Sequence, residues 1–147
     1  FMDTIRAIEN FHRINYNNER IPQESFDKLV NEILSQVTLN KEDSDWLRGR
    51  LQGNEPTLKN RLKELIENSD SRTIQKRVGK VKRFCWEVTC SRNYYTHYDH
   101  NLRKSAKKGY ELYELTRTLR AILTLYILKE IGFNYKNFQN GLKYHFG

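Results

Sequence analysis

A ten-residue polar stretch at residues 90–99 separates two long apolar-patterned segments, and the rest of the chain is arranged around it. The stretch reads Cys90-Ser91-Arg92-Asn93-Tyr94-Tyr95-Thr96-His97-Tyr98-Asp99. An arginine can neutralise a phosphate with a planar fork of donors, and a histidine can move a proton near neutral pH. The 90–99 stretch therefore combines the two chemistries that a site binding or cleaving a phosphodiester needs. Its position predicts a polar joint between two helices.

The segment before this stretch is predicted to be one helix from about Arg72 to Cys90. Its apolar residues recur at steps of four, three, four and three, which places them on one packed face. They are Ile74, Val78, Val81, Cys85 and Val88. Lys76, Lys80 and Arg83 recur at the same spacing on another face. This basic face is either an ordinary solvated surface or a stripe that follows phosphates, and spacing alone leaves both open.

The segment after the stretch begins with a polar linker over about 100–108, which carries Arg103 and Lys104. A long helix is then predicted from about Gly109 to Ile131, with Gly132 as its stop signal. The second half of this helix is apolar nearly all round. We therefore expect it to form the centre of the domain.

Amphipathic helices are also predicted on either side of these segments. In the first half of the chain they begin near Thr4, Pro22, Asn40 and Pro56, and Asn134 is expected to cap a short terminal helix. No segment alternates apolar and polar residues for long enough to predict a strand. The predicted fold class is therefore all-α, a helical bundle with a long apolar helix near its C-terminal end.

Composition limits the class of protein further. A length of 147 residues fits one domain over 1–147, and 26 basic against 18 acidic residues give a net charge of +8. A basic balance favours polyanions, nucleic acid first. Two cysteines make no disulfide framework, which predicts a reducing, cytoplasmic setting. The longest apolar run, 121–128, is too short to cross a bilayer, so no membrane contact is expected. Phe1 precedes Met2, and we expect a longer parent protein.

An arginine followed closely by a histidine is by itself a weak motif. Arg6 and His12 match a similar spacing inside a predicted regular helix, where a separation of six residues directs the side chains well apart. We interpret that pair as a surface arginine and a helix-end histidine. Arg92 and His97 differ in context, because an amide and three tyrosines accompany them between a basic helix and an apolar one.

In that context the 90–99 stretch resembles the signature of HEPN domains, in which an arginine and a polar residue are followed within a few positions by a histidine. Residues 92–99 are more closely similar to the ApeA-like branch, found at the C-terminus of bacterial anti-phage proteins. Residues 111–117 and the Leu-rich end agree with that branch in kind. In the first half the likeness is limited to helical character and an opening segment from Ile8 to Arg13.

The resemblance implies a homodimer that cleaves RNA without a metal or another cofactor, with the motifs of two protomers facing each other across a cleft. On a straight helix Arg92 and His97 lie roughly 140° apart. The helix ends inside the motif, a second copy completes the site, or both hold. The resemblance also implies anti-phage defence by growth arrest or abortive infection. It further implies transfer RNA as the suspected substrate and a larger N-terminal sensing region in the same polypeptide.

The resemblance also suggests a role for each residue. A ribose 2′-hydroxyl would attack the adjacent phosphate to leave a 2′,3′-cyclic phosphate and a 5′-hydroxyl. His97 is predicted to transfer the proton, and Arg92 to hold the phosphate and stabilise its transition-state charge. Asn93 is predicted to orient Arg92 or His97, or to donate to the phosphate.

Asp99, three tyrosines and five basic residues are predicted to support these groups. Asp99 would either hold the imidazole in one tautomer or cap the following turn. The tyrosines would stack on splayed bases or fill the dimer interface, and the basic residues would bind RNA. The tyrosines are Tyr94, Tyr95 and Tyr98. The basic residues are Lys76, Lys80, Arg83, Arg103 and Lys104. Two alternatives stay open, namely a non-catalytic RNA-binding module and a dimerisation adaptor.

Overall fold

Helices make up all the regular structure in the part of the chain that the computed structural model describes, which is residues 1–69 and 71–133. This confirms the predicted all-α class. The α-helices are α1 (Met2–Asn15), α2 (Gln23–Ser35), α3 (Lys41–Arg50), α4 (Leu58–Glu67), α5 (Arg72–Val78), α6 (Val81–His97) and α7 (Gly109–Glu130), and a 3₁₀ helix spans His100–Leu102. The terminal helix predicted to start at Asn134 lies outside the described residues.

The chain divides into two compact units, the smaller of which covers residues 16–56. This unit holds α2 and α3. The Asn40 side chain accepts a hydrogen bond from the N–H of Asp43 and caps α3, as expected for an asparagine at that position. Asn54 is buried, and its amide donates to the Ile21 carbonyl over 2.9 Å. That bond ties the end of the unit back to its beginning.

The larger unit combines residues 1–15 with residues from 57 onward, and it holds the 90–99 stretch. Helix α4 packs on α6, α1 packs on both α7 and α4, and α5 packs on α7. The fully buried apolar side chains of this core include Ile5, Ile8, Leu62, Leu65, Ile66, Ile74, Val88, Leu119 and Ile122. Each such burial stabilises the fold by about 1.5–3 kcal/mol. The core therefore fixes α6, the helix that carries the stretch.

Helix α7 lies within a residue of its predicted boundaries. It ends at Glu130, and Gly132 follows with a φ of +81°, a conformation that glycine adopts at little cost. Its inner face is buried, but Ile127 is 46% exposed, so α7 is central on one face only. Within residues 1–69 and 71–133, no helix combines the length and apolar character that crossing a membrane requires.

The prediction of one continuous helix from Arg72 to Cys90 is wrong, because the backbone turns at Gly79. There φ is +62° and ψ is −116°, and the N–H of Gly79 bonds to the Gln75 carbonyl to close α5. A new helix, α6, starts at Val81. As a result the predicted basic stripe is divided, with Lys76 on α5 and Lys80 and Arg83 at the start of α6.

Replacing Gly79 tests this turn. A side chain rarely adopts its backbone angles, although an added Cβ would meet no atom within 4 Å. We therefore expect Gly79→Ala to lower the free energy of unfolding by about 1–3 kcal/mol through backbone strain alone. Gly49→Ala is the matched control, because Gly49 lies inside α3 with equally open space, and alanine there should be neutral or stabilising. Equal effects in urea titrations would contradict the assignment of strain to Gly79.

Candidate active site

Most of the 90–99 stretch is helical, which differs from the predicted joint between helices. Helix α6 continues to His97 and ends at Tyr98, whose φ is +51° and whose N–H donates to the Tyr94 carbonyl over 2.7 Å. The polar residues are compatible with the helix because their hydroxyls bond back one turn. Ser91 Oγ donates to the Glu87 carbonyl over 2.7 Å, and Thr96 Oγ1 to the Arg92 carbonyl over 2.8 Å.

Arg92 and His97 lie on the last two turns of this regular helix. A separation of five residues directs them roughly 140° apart around the helix axis. The helix ends inside the 90–99 stretch, at His97, but it does not end between Arg92 and His97, so its end does not bring the two side chains together. Within one copy of the chain, the two side chains leave α6 on different sides.

Arg92 is half-buried, and Asn93 holds its guanidinium. Arg92 Nη1 donates to Asn93 Oδ1 over 3.1 Å, which agrees with the predicted orienting role of Asn93. The side chain lines a cleft of about 330 Å³ between α1 and α6, called the α1–α6 cleft below. Its other lining residues are Met2, Ile5, Arg6, Glu9, Tyr95 and Thr96. A phosphate entering this cleft would meet a cation that is already oriented.

The His97 side chain is exposed at the end of α6, and its imidazole forms no hydrogen bond with any described residue. Asp99 does not orient it. One carboxylate oxygen of Asp99 accepts instead from the N–H of Asn101 over 2.9 Å and caps the 3₁₀ helix. Of the two roles predicted for Asp99, the structure therefore has the capping one, and the imidazole remains open to a substrate or a second protein chain.

The three tyrosines differ in their surroundings. The rings of Tyr94 and Tyr95 meet edge to face with centroids 5.1 Å apart, and Tyr94 also contacts the Tyr98 ring at 6.3 Å. Burial, together with the neighbouring Tyr94, raises the pKa of the Tyr95 hydroxyl. That hydroxyl donates to the Lys107 carbonyl over 3.1 Å. Tyr98 is 70% exposed, so it is the tyrosine best placed to stack on a base.

Ser91 is a structural residue of the site that the sequence did not reveal. It is fully buried, and its hydroxyl accepts from the N–H of Lys107 over 2.9 Å. With the bond from the Tyr95 hydroxyl to the Lys107 carbonyl, both the N–H and the carbonyl of Lys107 are hydrogen-bonded to side chains of α6. The Lys107 ammonium also pairs with Glu111 at 2.9 Å. These contacts fix the loop that follows the motif. A serine inside a helical pattern gives no signal of such a contact.

Replacing Ser91 by alanine leaves the Lys107 N–H without this acceptor. We expect Ser91→Ala to lower the free energy of unfolding by about 1–3 kcal/mol, because a part-buried donor loses its partner. Amide exchange of Lys107 should quicken. Thr96→Ala is the control, since its exposed hydroxyl bonds only to a carbonyl of its own helix, and it should change stability by less than about 0.5 kcal/mol. Slow Lys107 exchange in Ser91→Ala would contradict this account.

The predicted RNA-binding cations fall into two groups. Arg103 and Lys104 are exposed in the loop that Ser91 and Tyr95 fasten to α6. Lys80 and Arg83 lie at the opposite end of α6 from His97, roughly 20–25 Å away along the helix, and Lys76 lies on α5. Arg83 also pairs with Glu87 at 3.0 Å. The structure therefore keeps Arg103 and Lys104 near the motif and places Lys80 and Arg83 far from it, with Lys76 on a different helix.

The two cysteines are buried, free thiols. Burial raises the pKa of Cys85 to about 11, so this thiol stays protonated at neutral pH, as expected for a small buried side chain. Residues 1–69 and 71–133 contain no group of three or more His, Cys, Asp or Glu side chains that could hold a metal ion.

The larger, all-helical unit presents an arginine, an amide and a histidine on the last two turns of one helix. The family model described as Apea-like HEPN matches residues 2–137, and the chain belongs to this family. The predicted resemblance is thereby confirmed over both units of the structure. No curated protein and no solved structure gives a significant match. HEPN domains are generally nucleases, so the family points to a ribonuclease or a defence-associated domain.

Proposed function

We propose that this chain is a metal-independent endoribonuclease in which Arg92 and His97 act on RNA. The observation that carries the proposal is the state of these two residues. Arg92 is oriented by Asn93 at the edge of a cleft, whereas His97 projects into solvent at the end of the same helix. A histidine with a purely structural role is usually packed or bonded, as His12 is in this chain.

The reaction proposed is an internal transfer of a phosphodiester. The ribose 2′-oxygen forms a bond to the adjacent phosphorus while an imidazole accepts the hydroxyl proton. Negative charge gathers on the two non-bridging oxygens, where the planar guanidinium of Arg92 donates to them. The bond from phosphorus to the 5′-oxygen then breaks, and that oxygen receives a proton. The products are a 2′,3′-cyclic phosphate and a 5′-hydroxyl, and no water is consumed.

The proposed enzyme is a homodimer, because one copy directs Arg92 and His97 to different sides of α6. A second α6 beside the first would bring the imidazole of one copy towards the guanidinium of the other. It would also supply two imidazoles, one to accept the 2′-proton and one to donate to the leaving 5′-oxygen. The exposed Tyr98 ring beside this end of α6 gives the interface or the substrate an apolar surface.

The biological setting proposed follows from the family. ApeA-like HEPN domains suggest anti-phage defence, with RNA cleavage that arrests growth, transfer RNA as the suspected target and a sensing region elsewhere in the polypeptide. The net charge of +8 supports a polyanionic substrate. In the loop after the motif, Arg103 and Lys104 are exposed and available to backbone phosphates.

Cleavage of total RNA by the purified chain in EDTA tests the proposal. We expect the wild type to produce discrete fragments and Arg92→Ala and His97→Ala to leave the RNA intact. A pattern of intact RNA from all three proteins, with binding retained, would assign the chain to the non-catalytic RNA-binding alternative. If the three proteins neither cleave nor bind RNA, the dimerisation adaptor is the better description.

A further inference from the structure

The α1–α6 cleft contains a second arginine besides Arg92. Arg6 lines it from α1, and Met2, Ile5 and Tyr95 also line the cleft and give it apolar surface. The volume of about 330 Å³ lies at the small end of the range for ligand pockets, about 300–1,000 Å³. The cleft therefore suits one nucleotide unit of an unpaired strand better than a folded RNA element.

Arg6 is free to take a phosphate as its partner. It forms an ion pair with Asp3, three residues earlier, at 3.6 Å, and both side chains are largely exposed, at 72% and 99%. Exposed pairs of this kind contribute about 0–1 kcal/mol and exchange readily with solvent or with another anion. A phosphate in the cleft, already held on one side by Arg92, would offer Arg6 a bidentate partner in a less solvated place.

From this arrangement we infer that Arg6 is a second phosphate-binding residue of the site, which holds a single-stranded RNA backbone together with Arg92. The inference rests on the proposed function for its substrate class. It adds a proposed role for Arg6, which the sequence spacing identified only as a surface arginine and which is indeed exposed. Sequence spacing could not reveal it, because Arg6 and Arg92 meet only through the packing of α1 against the rest of the larger unit.

Glu9 offers a test of the inference, because removing its charge should change RNA affinity in the opposite direction to removing the Arg6 charge. It lines the same cleft one helical turn after Arg6, and its carboxylate repels an entering phosphate. Removing the Arg6 charge should therefore weaken RNA binding, whereas removing the Glu9 charge should strengthen it. A purely structural role of this face of α1 would make both changes harmful.

The test is binding of a short fluorescein-labelled oligouridylate by anisotropy, in a His97→Ala background so that no cleavage interferes. We expect Arg6→Gln to weaken binding about fivefold to tenfold and to reduce the slope of log affinity against log salt by about 0.7. Glu9→Gln should tighten binding about threefold. Arg120→Gln is the matched control, because it removes one exposed positive charge from α7 outside the cleft.

Equal affinities for Arg6→Gln and Arg120→Gln would overturn the inference, as would weaker binding by both Arg6→Gln and Glu9→Gln. The proposed function is tested separately by cleavage of RNA. A wild type that cleaves RNA, with an Arg6→Gln variant of unchanged KM, would leave the function standing and remove Arg6 from the site. If the wild type binds RNA through Arg6 but does not cleave it, the role of Arg6 stands and the proposed ribonuclease function fails.

Discussion

The His97→Ala variant is expected to cleave RNA at least about a thousandfold more slowly than the wild type, while it folds and binds RNA normally. A positioned general acid or base contributes about 10²–10⁴ to a rate, and in a symmetric dimer the substitution removes both imidazoles at once. His97 is exposed and has no bond to a described residue, so its removal should change the free energy of unfolding by less than about 0.5 kcal/mol. Single-turnover cleavage measures the rate, and thermal unfolding measures the fold.

His100→Ala is the matched control for this prediction. His100 is an exposed imidazole three residues further on, in the 3₁₀ helix. It should retain cleavage within about twofold of the wild type, since a solvated side chain outside the motif has no assigned step. Equal loss in both variants would indicate a general effect of this loop, and equal activity in both would remove His97 from the mechanism.

A lysine at position 92 separates the effect of the positive charge from the effect of the guanidinium geometry. Arg92→Lys keeps the charge but loses the planar fork of donors, which bonds to the Asn93 amide oxygen and is proposed to bind two phosphate oxygens. Relative to Arg92→Ala, we therefore expect Arg92→Lys to restore RNA affinity more fully than the rate of RNA cleavage.

The second large effect is expected from His12, which the sequence placed only at a helix end. His12 is completely buried. Arg61 Nη1 lies 3.0 Å from His12 Nδ1, and Glu64 Oε2 lies 2.9 Å from His12 Nε2. A guanidinium can only donate, so Nδ1 must be the acceptor and Nε2 must carry the proton that bonds to Glu64. His12 is therefore held as a neutral imidazole that links α1 to α4.

Replacing His12 by leucine removes an acceptor from the buried Arg61 and a donor from Glu64. Because hydrogen bonds to charged groups contribute about 1.5–3 kcal/mol each, we expect His12→Leu to lower the free energy of unfolding by about 3 kcal/mol. For a chain of this length that corresponds to a fall in Tm of roughly 10 °C. His100→Leu is the control and should leave Tm almost unchanged. A His12→Leu protein as stable as the wild type would contradict the assigned bonds.

The sequence predicted helix ends well where a local signal marks them. The boundaries of α7 and the cap at Asn40 follow from local patterns of this kind. The break at Gly79 was missed, because apolar spacing continues through it from Val78 to Val81 and hides a change of backbone direction. Helix α6 extends past its predicted end at Cys90 to His97. The hydroxyls of Ser91 and Thr96 permit this because they donate to carbonyls one turn earlier in the same helix.

The site was predictable only in part for a different physical reason. Arg92, Asn93 and His97 are close in sequence, so a short motif could identify them. The structural roles of His12 and Ser91 and the proposed role of Arg6 depend instead on residues at least 16 positions away. Such contacts are decided by how helices pack, and no local spacing encodes them. For the same reason the prediction that Asp99 orients the imidazole could not be separated in advance from the capping role that the structure has.

The most direct test of the central claim is cleavage of a defined RNA in EDTA, compared with the same RNA carrying one 2′-deoxy nucleotide on the 5′ side of the cut. Attack by the neighbouring 2′-hydroxyl predicts a 2′,3′-cyclic phosphate and a 5′-hydroxyl on the products of the unmodified strand. It also predicts that the single missing oxygen abolishes cleavage at that position. Cleavage of the 2′-deoxy strand at the same bond, or products ending in a 5′-phosphate, would contradict the account.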